Sequence, residues 1–326
     1  MPRLFCNAAL SEPNLDRLRQ GLAAFPDLEL VLPGNGFAGS NLVEGPSDPG
    51  LLHAAVAFGQ PNVEDLLNSE SVRLVQLTSA GWARYDRDDL KQRLRSRGAL
   101  LCTASHVYHE PCAEHLVAFM YAQARQLPAA WHNQAGGRGW PVGRLRAGSR
   151  LLTGQRALLL GYGTIAARVV ELLTPLGMEM VAFRRTVRGD ENVRTLPVSE
   201  VDRHLPDADH VLNILPGTAE TAGFMNASRF ARCKRGSVYY NIGRGTTTDQ
   251  TALIDTLTSG HLAAAYLDVT DPEPLPSDHP LWRAPNCFIT PHTAGGYVEE
   301  GQRQVEHLLE NLRRWRAGEP LLDRVV

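Results

Sequence analysis

The chain has 326 residues, 43% of them hydrophobic and 21% charged, and its formal net charge is −2. This length exceeds a single ordinary core and predicts two domains. The near balance of charge argues against nucleic-acid and anionic-membrane partners, and no apolar run reaches the roughly 18 residues of a membrane span. The five cysteines form no CxxC pair, which predicts reduced thiols, no zinc site and a cytoplasmic protein.

Short apolar runs alternate with helical patterns along the first part of the chain, as in a parallel sheet covered by helices. The pattern predicts strands at 28–32, 54–58 and 74–77, and helices at 62–67 and 85–95. No glycine-rich phosphate loop occurs in this region. We therefore expect it to bind substrate rather than a dinucleotide.

A long helix is predicted at about 112–126, and a stretch rich in Gly, Arg and Trp follows at 131–149. The second stretch is too long for a simple connector without secondary structure of its own. We expect it to be irregular and to have a functional or interfacial role. An intramolecular linker is the alternative.

The rest of the chain alternates again between strand and helix patterns. Strands are predicted at 156–160, 179–183, 210–215, 237–241, 263–269 and 287–290, with a last helix at about 296–315. Such an alternation is typical of a doubly wound α/β sheet. The last helix would return the chain to the first domain. We therefore predict a discontinuous substrate-binding domain, residues 1–103 and 294–326, and a dinucleotide-binding domain, residues 104–293.

A glycine-rich turn lies between the first two strands of this second block. Gly161 would permit a tight turn, and Gly163 would let the backbone approach a pyrophosphate. The amides of Thr164 and Ile165 would then face the phosphates at a helix N-terminus. Ala166 replaces the third glycine of the usual fingerprint and is small enough for close helix–strand packing. A purely structural turn is the alternative, and the position within a strand–helix–strand unit favours the dinucleotide.

The end of the next predicted strand distinguishes the two nicotinamide cofactors. NAD sites place an acidic residue there to bind the ribose 2′-hydroxyl, whereas this chain has Arg184 and Arg185. A guanidinium would pair with a 2′-phosphate through charge-assisted hydrogen bonds. The sequence therefore favours NADP(H), with NAD(H) as the second choice. A solvated basic turn is the alternative interpretation.

Three polar residues each follow a predicted strand, and they suit the reduction of a 2-keto acid. The guanidinium of Arg244 would bind the substrate carboxylate and polarise its carbonyl, while the flanking glycines would leave room for substrate and cofactor. His292 would protonate the carbonyl oxygen. Glu273 would hydrogen-bond the imidazole, fix its tautomer and stabilise its cation. Taken singly, each residue also has a structural interpretation: a salt bridge, a helix-flanking residue or a surface charge.

The motifs occur in a fixed order: Asn-Ile-Gly-Arg-Gly at 241–245, Asp-Pro-Glu-Pro-Leu-Pro at 271–276 and Thr-Pro-His at 290–292. Behind a dinucleotide turn, this order resembles the D-isomer-specific 2-hydroxyacid dehydrogenase family. The resemblance implies two Rossmann-like doubly wound domains with a cleft between them. It also implies a small 2-keto or 2-hydroxy acid as substrate, and a homodimer through the helix near 112–126 and the loop 131–149.

The resemblance assigns further residues. Asp268 matches the aspartate that contacts the nicotinamide amide in the family. The run at 77–81 resembles the family's carboxylate-binding loop, in which amides around Ala80 and Gly81 would hold an anion. Trp82 then stands where the family more often has Val or Ile, so the side-chain pocket departs from the family pattern.

Within the family, the paired arginines and the Asp-Val-Thr-Asp-Pro-Glu-Pro-Leu-Pro run at 268–276 resemble the glyoxylate/hydroxypyruvate reductase branch. We therefore expect reduction of glyoxylate or hydroxypyruvate with NADPH. Glu273 argues against formate as substrate, because formate dehydrogenases of this fold have glutamine there. The alternatives are another D-2-hydroxyacid dehydrogenase, for example of the phosphoglycerate type, oxidation of a different anion such as phosphite, or a nucleotide-sensing corepressor of the same fold.

Overall fold

A computed structural model describes residues 1–34 and 43–326. The chain forms two compact units, one of Met1–Tyr108 with Gly296–Val326 and one of His109–Gly295. The predicted domain bounds, 103/104 and 293/294, lie near these divisions. Among the residues described, no helix is both long and apolar enough to cross a membrane.

The described residues form parallel strands connected by helices. The strands are β1 Arg3–Cys6, β2 Glu29–Val31, β3 Val56–Gly59, β4 Leu74–Leu77, β5 Leu100–Cys102, β6 Arg156–Leu160, β7 Glu179–Arg184, β8 Arg194–Pro197, β9 His210–Asn213, β10 Val238–Asn241, β11 Ala264–Leu267 and β12 Cys287–Ile289. The α-helices are α1 Glu12–Gly21, α2 Pro49–Leu52, α3 Val63–Asn68, α4 Asp88–Ser96, α5 Ser105–Ala124, α6 Leu127–Ala135, α7 Val142–Gly148, α8 Thr164–Leu173, α9 Val201–His204, α10 Ala227–Arg232, α11 Gln250–Thr258 and α12 Glu300–Ala317.

The first unit is a parallel sheet of the order β2-β1-β3-β4-β5 between two layers of helices. Helices α1 and α12 cover one face, where Leu18 and Leu308 are fully buried. Helices α3 and α4 cover the other face with Leu66, Leu90 and Leu94. Apolar side chains on both faces of a strand explain why these strands are continuous hydrophobic runs. The predicted return of the last helix to this unit is confirmed.

The second unit is a parallel sheet of the order β12-β11-β10-β9-β6-β7-β8. Strand β6 is the first strand of this unit along the chain; β7 and β8 extend the sheet on one side of it, and β9 to β12 extend the sheet on the other side. The chain therefore reverses direction across the sheet between β6 and β9. In open α/β sheets, ligands bind at the carboxyl ends of the strands beside such a reversal. The predicted fold class of two parallel-sheet α/β domains is confirmed.

Several predicted elements need correction. The stretch 131–149 is not irregular, because it contains the end of α6 and all of α7. Helix α5 begins at Ser105 instead of near residue 112, and Pro111 lies inside it. Proline has no amide to donate to the carbonyl four residues earlier, that of Val107. The hydroxyl of Tyr297 donates to this carbonyl instead, at 3.2 Å, so the helix continues without an unpaired acceptor.

The structure describes all five cysteines, and each is a free thiol. Four of them are buried and the fifth is partly buried. Burial is the main cause that raises the pKa of each thiol to about 12, at Cys6, Cys102, Cys112, Cys233 and Cys287. These cysteines behave as small apolar core residues.

Candidate active site

Three neighbouring strands of the second unit each end just before one of the predicted catalytic residues. Strand β11 pairs in parallel with β10 on one side and with β12 on the other. Arg244 follows β10, Glu273 follows β11 and His292 follows β12. Because the carboxyl ends of parallel strands lie along one edge, the sheet brings all three residues to the same edge.

His292 and Glu273 form a direct pair. Nδ1 of His292 lies 2.7 Å from Oε2 of Glu273, and the two side chains are 26% and 35% exposed. The other carboxylate oxygen, Oε1, accepts the amide of Thr270 at 2.9 Å. An ionised carboxylate only accepts hydrogen bonds, so the proton of the pair lies on Nδ1 and Nε2 remains available for a substrate.

The electrostatics of the pair involve Arg244 as well. Burial works to raise the pKa of Glu273, but the bonds from His292 and the Thr270 amide, with the charge of Arg244, hold it below its ordinary value. Burial lowers the pKa of Arg244, and the charge of Glu273 opposes this effect. Arginine nevertheless stays charged in proteins. The edge therefore holds a partly desolvated cation, an ionised carboxylate and an imidazole.

The glycines beside Arg244 have a different purpose from the one expected. A Cβ at Gly245 would lie 1.9 Å from the carbonyl oxygen of Thr270, and a Cβ at Gly243 would lie 2.5 Å from that of Leu215. Both positions therefore face the backbone of neighbouring loops, not open space for a ligand. The glycines allow these loops to approach closely, which fixes where Arg244 lies.

Asp268 connects the segments that carry the catalytic residues. Its Oδ1 accepts the hydroxyl of Thr290 at 2.6 Å and the amide of Thr293 at 2.9 Å. Its Oδ2 accepts the amide of Ala294 at 3.0 Å, and its carbonyl accepts the amide of His292 at 2.8 Å. The side chain is only 2% exposed. These bonds hold His292 in a left-handed conformation, with φ of 53°. The contact of Asp268 with a nicotinamide amide stays a prediction.

The glycine-rich turn lies between β6 and α8, beside the reversal of the sheet. Gly161 has φ of 95°, and a Cβ there would lie 3.0 Å from the carbonyl oxygen of Ile214. Apart from Gly163 itself and its two chain neighbours, no atom of residues 1–34 or 43–326 lies within 4 Å of a Cβ built on Gly163. Helix α8 begins at Thr164, so the amides of Thr164 and Ile165 belong to a helix start that lacks intrahelical acceptors. This turn has the space and the donors that a pyrophosphate needs.

The basic turn after β7 contains an unexpected partner. Arg184 is the last residue of β7, and its Nη1 lies 2.9 Å from Oε1 of Glu191. Arg185 is exposed. The sequence therefore predicted the two cations but not the carboxylate that pairs with one of them.

In the first unit, Ala80 and Gly81 follow β4 in a partly buried loop. Nε2 of Gln60 donates to the hydroxyls of Thr78 and Ser79, at 3.1 Å each. The Ser79 hydroxyl donates to the carbonyl of Gly81 at 2.7 Å. These bonds fix the shape of the predicted carboxylate-binding loop within its own unit.

Comparison with known proteins agrees with this geometry. Residues 117–294 match the family model described as the NAD-binding domain of D-isomer specific 2-hydroxyacid dehydrogenases. The chain belongs to this family. The predicted membership, and with it an NAD(P)-dependent oxidoreductase, is confirmed.

The curated relatives of this dehydrogenase include two kinds of named enzyme. Glyoxylate/hydroxypyruvate reductase A of Klebsiella pneumoniae (strain 342) is 33% identical over 51% of this chain and 53% of its own length. D-3-phosphoglycerate dehydrogenase of Mycobacterium bovis is 29% identical over 81% of this chain and 49% of its own length. The matches thus span about half the length of both enzymes. An uncharacterised protein of Corynebacterium melassecola is 30% identical over 81% of this chain and 85% of its own.

Among solved structures, a D-isomer specific 2-hydroxyacid dehydrogenase from Xanthobacter autotrophicus Py2 is similar over the whole dehydrogenase chain. It was crystallised with NADPH and MES. Its sequence is 29% identical, the TM-score is 0.80, and the match covers 100% of this chain and 98% of that one.

The side chains that position the site of this dehydrogenase were not predicted from the sequence. Asn241 Nδ2 donates to the carbonyl of Arg244 at 3.0 Å, while its Oδ1 accepts the amide of Gly243 at 3.0 Å. In the sequence, Asn241 and Thr290 are visible only as members of the motifs at 241–245 and 290–292. The one available signal was their place at a strand end, where a buried polar residue must bond to neighbouring loops.

Proposed function

We propose that this dehydrogenase reduces glyoxylate or hydroxypyruvate to the 2-hydroxy acid with NADPH. The observation that carries the proposal is the His292–Glu273 pair on the same sheet edge as Arg244. The match to glyoxylate/hydroxypyruvate reductase A supports the choice of substrate. A small keto acid also suits this edge, because the cation, Arg244, can bind its carboxylate and the proton donor, His292, can reach its carbonyl oxygen.

A nicotinamide dinucleotide fits the residues present. The open space at Gly163 and the start of α8 would accept the pyrophosphate through the amides of Thr164 and Ile165. When bound, the reduced nicotinamide supplies a hydride. The proposed contact of Asp268 with the nicotinamide amide requires a donor to reach a carboxylate that already accepts three bonds.

The side chains perform the remaining tasks. Arg244 binds the substrate carboxylate and draws electron density toward the carbonyl oxygen. His292 then donates the proton on Nε2 to the developing alkoxide. Glu273 holds Nδ1 throughout, so the ring keeps its orientation and its positive charge is compensated before transfer. In the first unit, the amides of Ala80 and Gly81 are proposed as a second anchor for the carboxylate.

We propose NADPH as the preferred cofactor because Arg184 and Arg185 lie at the end of β7. The relative from Xanthobacter autotrophicus Py2, which was solved with NADPH, supports this choice. Arg184→Ala should raise KM for NADPH about tenfold or more, because a hydrogen bond to a charged group contributes roughly 1.5–3 kcal/mol. KM for NADH should change little. Equal effects on both cofactors would remove Arg184 from the 2′-phosphate site.

We also propose a homodimer through the region 112–126 and 131–149. Large apolar side chains are exposed in and beside this region: Trp140 is 92% exposed, Trp131 59% and Leu151 68%. Helix α6, helix α7 and the turn between them line a cavity of about 770 Å³. Exposed apolar surface of this kind is typical of interaction sites.

We propose a cytoplasmic location as well, which the five cysteines without disulfides support.

The experiment that tests the function measures initial rates of reduced-nicotinamide consumption. Glyoxylate, hydroxypyruvate, pyruvate, phenylpyruvate and phosphohydroxypyruvate are each tested with NADPH and with NADH. Preference for the first two substrates with NADPH would support the proposal. Preference for phosphohydroxypyruvate would favour the phosphoglycerate type, which the 29% identity over most of the chain makes the second candidate. Nucleotide binding without any turnover would favour the corepressor.

A further inference from the structure

The turn after β7 contains a buried and hydrogen-bonded carboxylate, that of Glu191. The side chain of Glu191 is only 3% exposed. Its oxygens accept the amides of Arg188 and Gly189 at 2.9 and 2.8 Å, and Nη1 of Arg184 at 2.9 Å. We propose that Glu191 sets the cofactor preference by orienting and partly neutralising Arg184. This inference rests on the proposed function, because it requires Arg184 to face the adenosine ribose.

The fold supports that requirement. In a doubly wound sheet, the residue at the end of the strand after the glycine turn meets the ribose 2′-substituent. Arg184 occupies this position and is 18% exposed, so part of its guanidinium remains accessible. The turn is also tied to the glycine turn, because the hydroxyl of Tyr162 donates to Oδ1 of Asn192. Glu191 therefore belongs to a turn that is anchored beside the dinucleotide loop.

Glu191 acts through Arg184 and does not bind the ribose itself. Both carboxylate oxygens are engaged and almost inaccessible, so a 2′-hydroxyl has no free acceptor there. The hydrogen bond from the Arg188 amide is the largest of several effects that lower the pKa of Glu191 to about 2. The negative charge beside Arg184 is therefore permanent at any pH at which the enzyme would work.

The charge arrangement has two opposing consequences for a 2′-phosphate. The carboxylate fixes the plane of the guanidinium, which favours a directed bond on the accessible side. The same carboxylate repels a phosphate bound on that side and cancels much of the attraction of the arginine. At such short separations the charge effect is larger than the gain from orientation. We therefore expect a moderate NADPH preference in the native enzyme and a stronger one without the charge of Glu191.

The test compares nucleotide binding in Glu191→Gln and in a matched control. Dissociation constants for NADPH and NADH are measured by fluorescence of the reduced nicotinamide, without substrate. Glu191→Gln should tighten NADPH binding roughly tenfold and leave NADH within about twofold. The control, Asp190→Asn, removes the same charge from the adjacent exposed residue, which has no bond to Arg184 among the contacts described. Its ratio of constants should change by less than about twofold, because exposed charges are screened.

A second variant separates charge from shape. Glu191→Asp keeps the charge on a shorter side chain, so its NADPH/NADH ratio should stay nearer to the native one than that of Glu191→Gln. Adenosine 2′,5′-bisphosphate and 5′-AMP serve as competitors, and the ratio of their affinities reports the contribution of the 2′-phosphate alone. Weaker NADPH binding in Glu191→Gln, or an equal effect of Asp190→Asn, would overturn the inference. Because no keto acid is present, an error in the proposed substrate would not alter these results, whereas failure of the native chain to bind either nucleotide would overturn both proposals.

Discussion

Replacement of His292 tests its proposed role as the proton donor. His292→Ala should lower kcat for keto-acid reduction by roughly 10²–10⁴-fold, the usual contribution of a general acid. NADPH affinity should be nearly unchanged, since the proposed nucleotide contacts lie at the glycine and basic turns. Steady-state kinetics with a nucleotide titration measure both quantities. Near-native kcat would remove His292 from the mechanism.

Glu273→Gln tests the partner of the histidine separately. Glutamine can still bond to the ring but no longer stabilises its cation. The kcat for keto-acid reduction should therefore fall by roughly tenfold or more, since each 1.4 kcal/mol of lost stabilisation costs a factor of about ten in rate. Steady-state kinetics measure the change. A native kcat would leave Glu273 with an orienting function only.

At the scale of residues, the sequence predicted which side chains meet at the edge of the second sheet, but not the hydrogen bonds that hold the site. Arg244, Glu273 and His292 belong to motifs whose order is visible in the chain. The buried bonds of Asp268 depend on how separate segments meet in space, and the pairing of Glu191 with Arg184 depends on how the turn after β7 folds back on the end of the strand. Hydrogen bonds of this kind leave no periodic pattern in the sequence, so neither was predictable.

The close approach of two loops makes Gly245 a sensitive position. In Gly245→Ala the new methyl group would collide with the Thr270 carbonyl, so the Thr270 loop must move. We expect a loss of roughly 1–3 kcal/mol in the free energy of unfolding, as for other overpacked sites. We also expect lower kcat, because the Thr270 amide holds Glu273. Urea unfolding and steady-state kinetics measure these effects.

The matched control for that variant is Gly143→Ala in helix α7. Apart from Gly143, its two chain neighbours and the backbone of its own helix, no described atom lies within 4 Å of a Cβ at this position. Alanine should be neutral or should stabilise by up to about 1 kcal/mol, the usual difference between the two residues in a helix. Equal destabilisation by both substitutions would show that the backbone contact at Gly245 is not the cause.

The C-terminal segment offers a pH-dependent contact at the start of α5. Nδ1 of His106 lies 2.5 Å from Oδ1 of Asp323. Asp323 also lies 3.4 Å from Nε2 of His307, which stacks on His106, and Arg314 is a nearby cation. The bond to Asp323 raises the pKa of His106, against the effects of burial and of Arg314. Stability from this contact is therefore full below about pH 6.5 and is lost as pH rises through the folded pKa.

Substitution of the histidine measures this dependence. The difference in unfolding free energy between the native chain and His106→Asn should be larger at pH 6 than at pH 8.5. It should stay below about 1 kcal/mol, because the His106 side chain is half exposed. Burial lowers the pKa of His307, but that group is present in both proteins and largely cancels in the difference. A difference that grows with pH would contradict the assignment.

At the scale of elements, strong patterns were predictive and local exceptions were not. Strands β4 and β6 have the predicted bounds because each is a short apolar run between turns. Strand β8, Arg194–Pro197, was not predicted, since an edge strand with a polar sequence lacks that signal. Helix α5 was predicted to start at about residue 112, whereas it starts at Ser105 and contains Pro111. The bond from the hydroxyl of Tyr297 to the carbonyl of Val107 involves a residue distant in the sequence, so no local pattern indicates it.

For the whole molecule, the proposed dimer gives the clearest test. Sedimentation velocity should show a mass near twice 35.8 kDa for the native chain. Trp140→Ser should shift the population toward monomer at micromolar concentration, because an almost fully exposed indole at an interface is a strong contributor to binding. Trp282→Ser, which alters a half-exposed tryptophan elsewhere, is the control. A native monomer would exclude the proposed dimer.

The sequence predicted that the two sheets are parallel but not the order of their strands. Alternating strands and helices imply parallel strands, and the glycine turn after β6 indicates where the second sheet begins. The strand order itself depends on which helix covers which face, and no single residue encodes that choice. The return of α12 was predictable because the chain continues past His292 with another amphipathic helix.

The state of the cysteines has a practical consequence for following this enzyme in solution. Only the thiolate reacts with alkylating dyes, and burial both raises the pKa of the native thiols and limits access to them. We therefore expect a cysteine introduced on the surface to be labelled in preference to the native ones. A maleimide fluorophore at Asp190→Cys, in the turn after β7, would then give an optical signal for nucleotide arrival from a single known position.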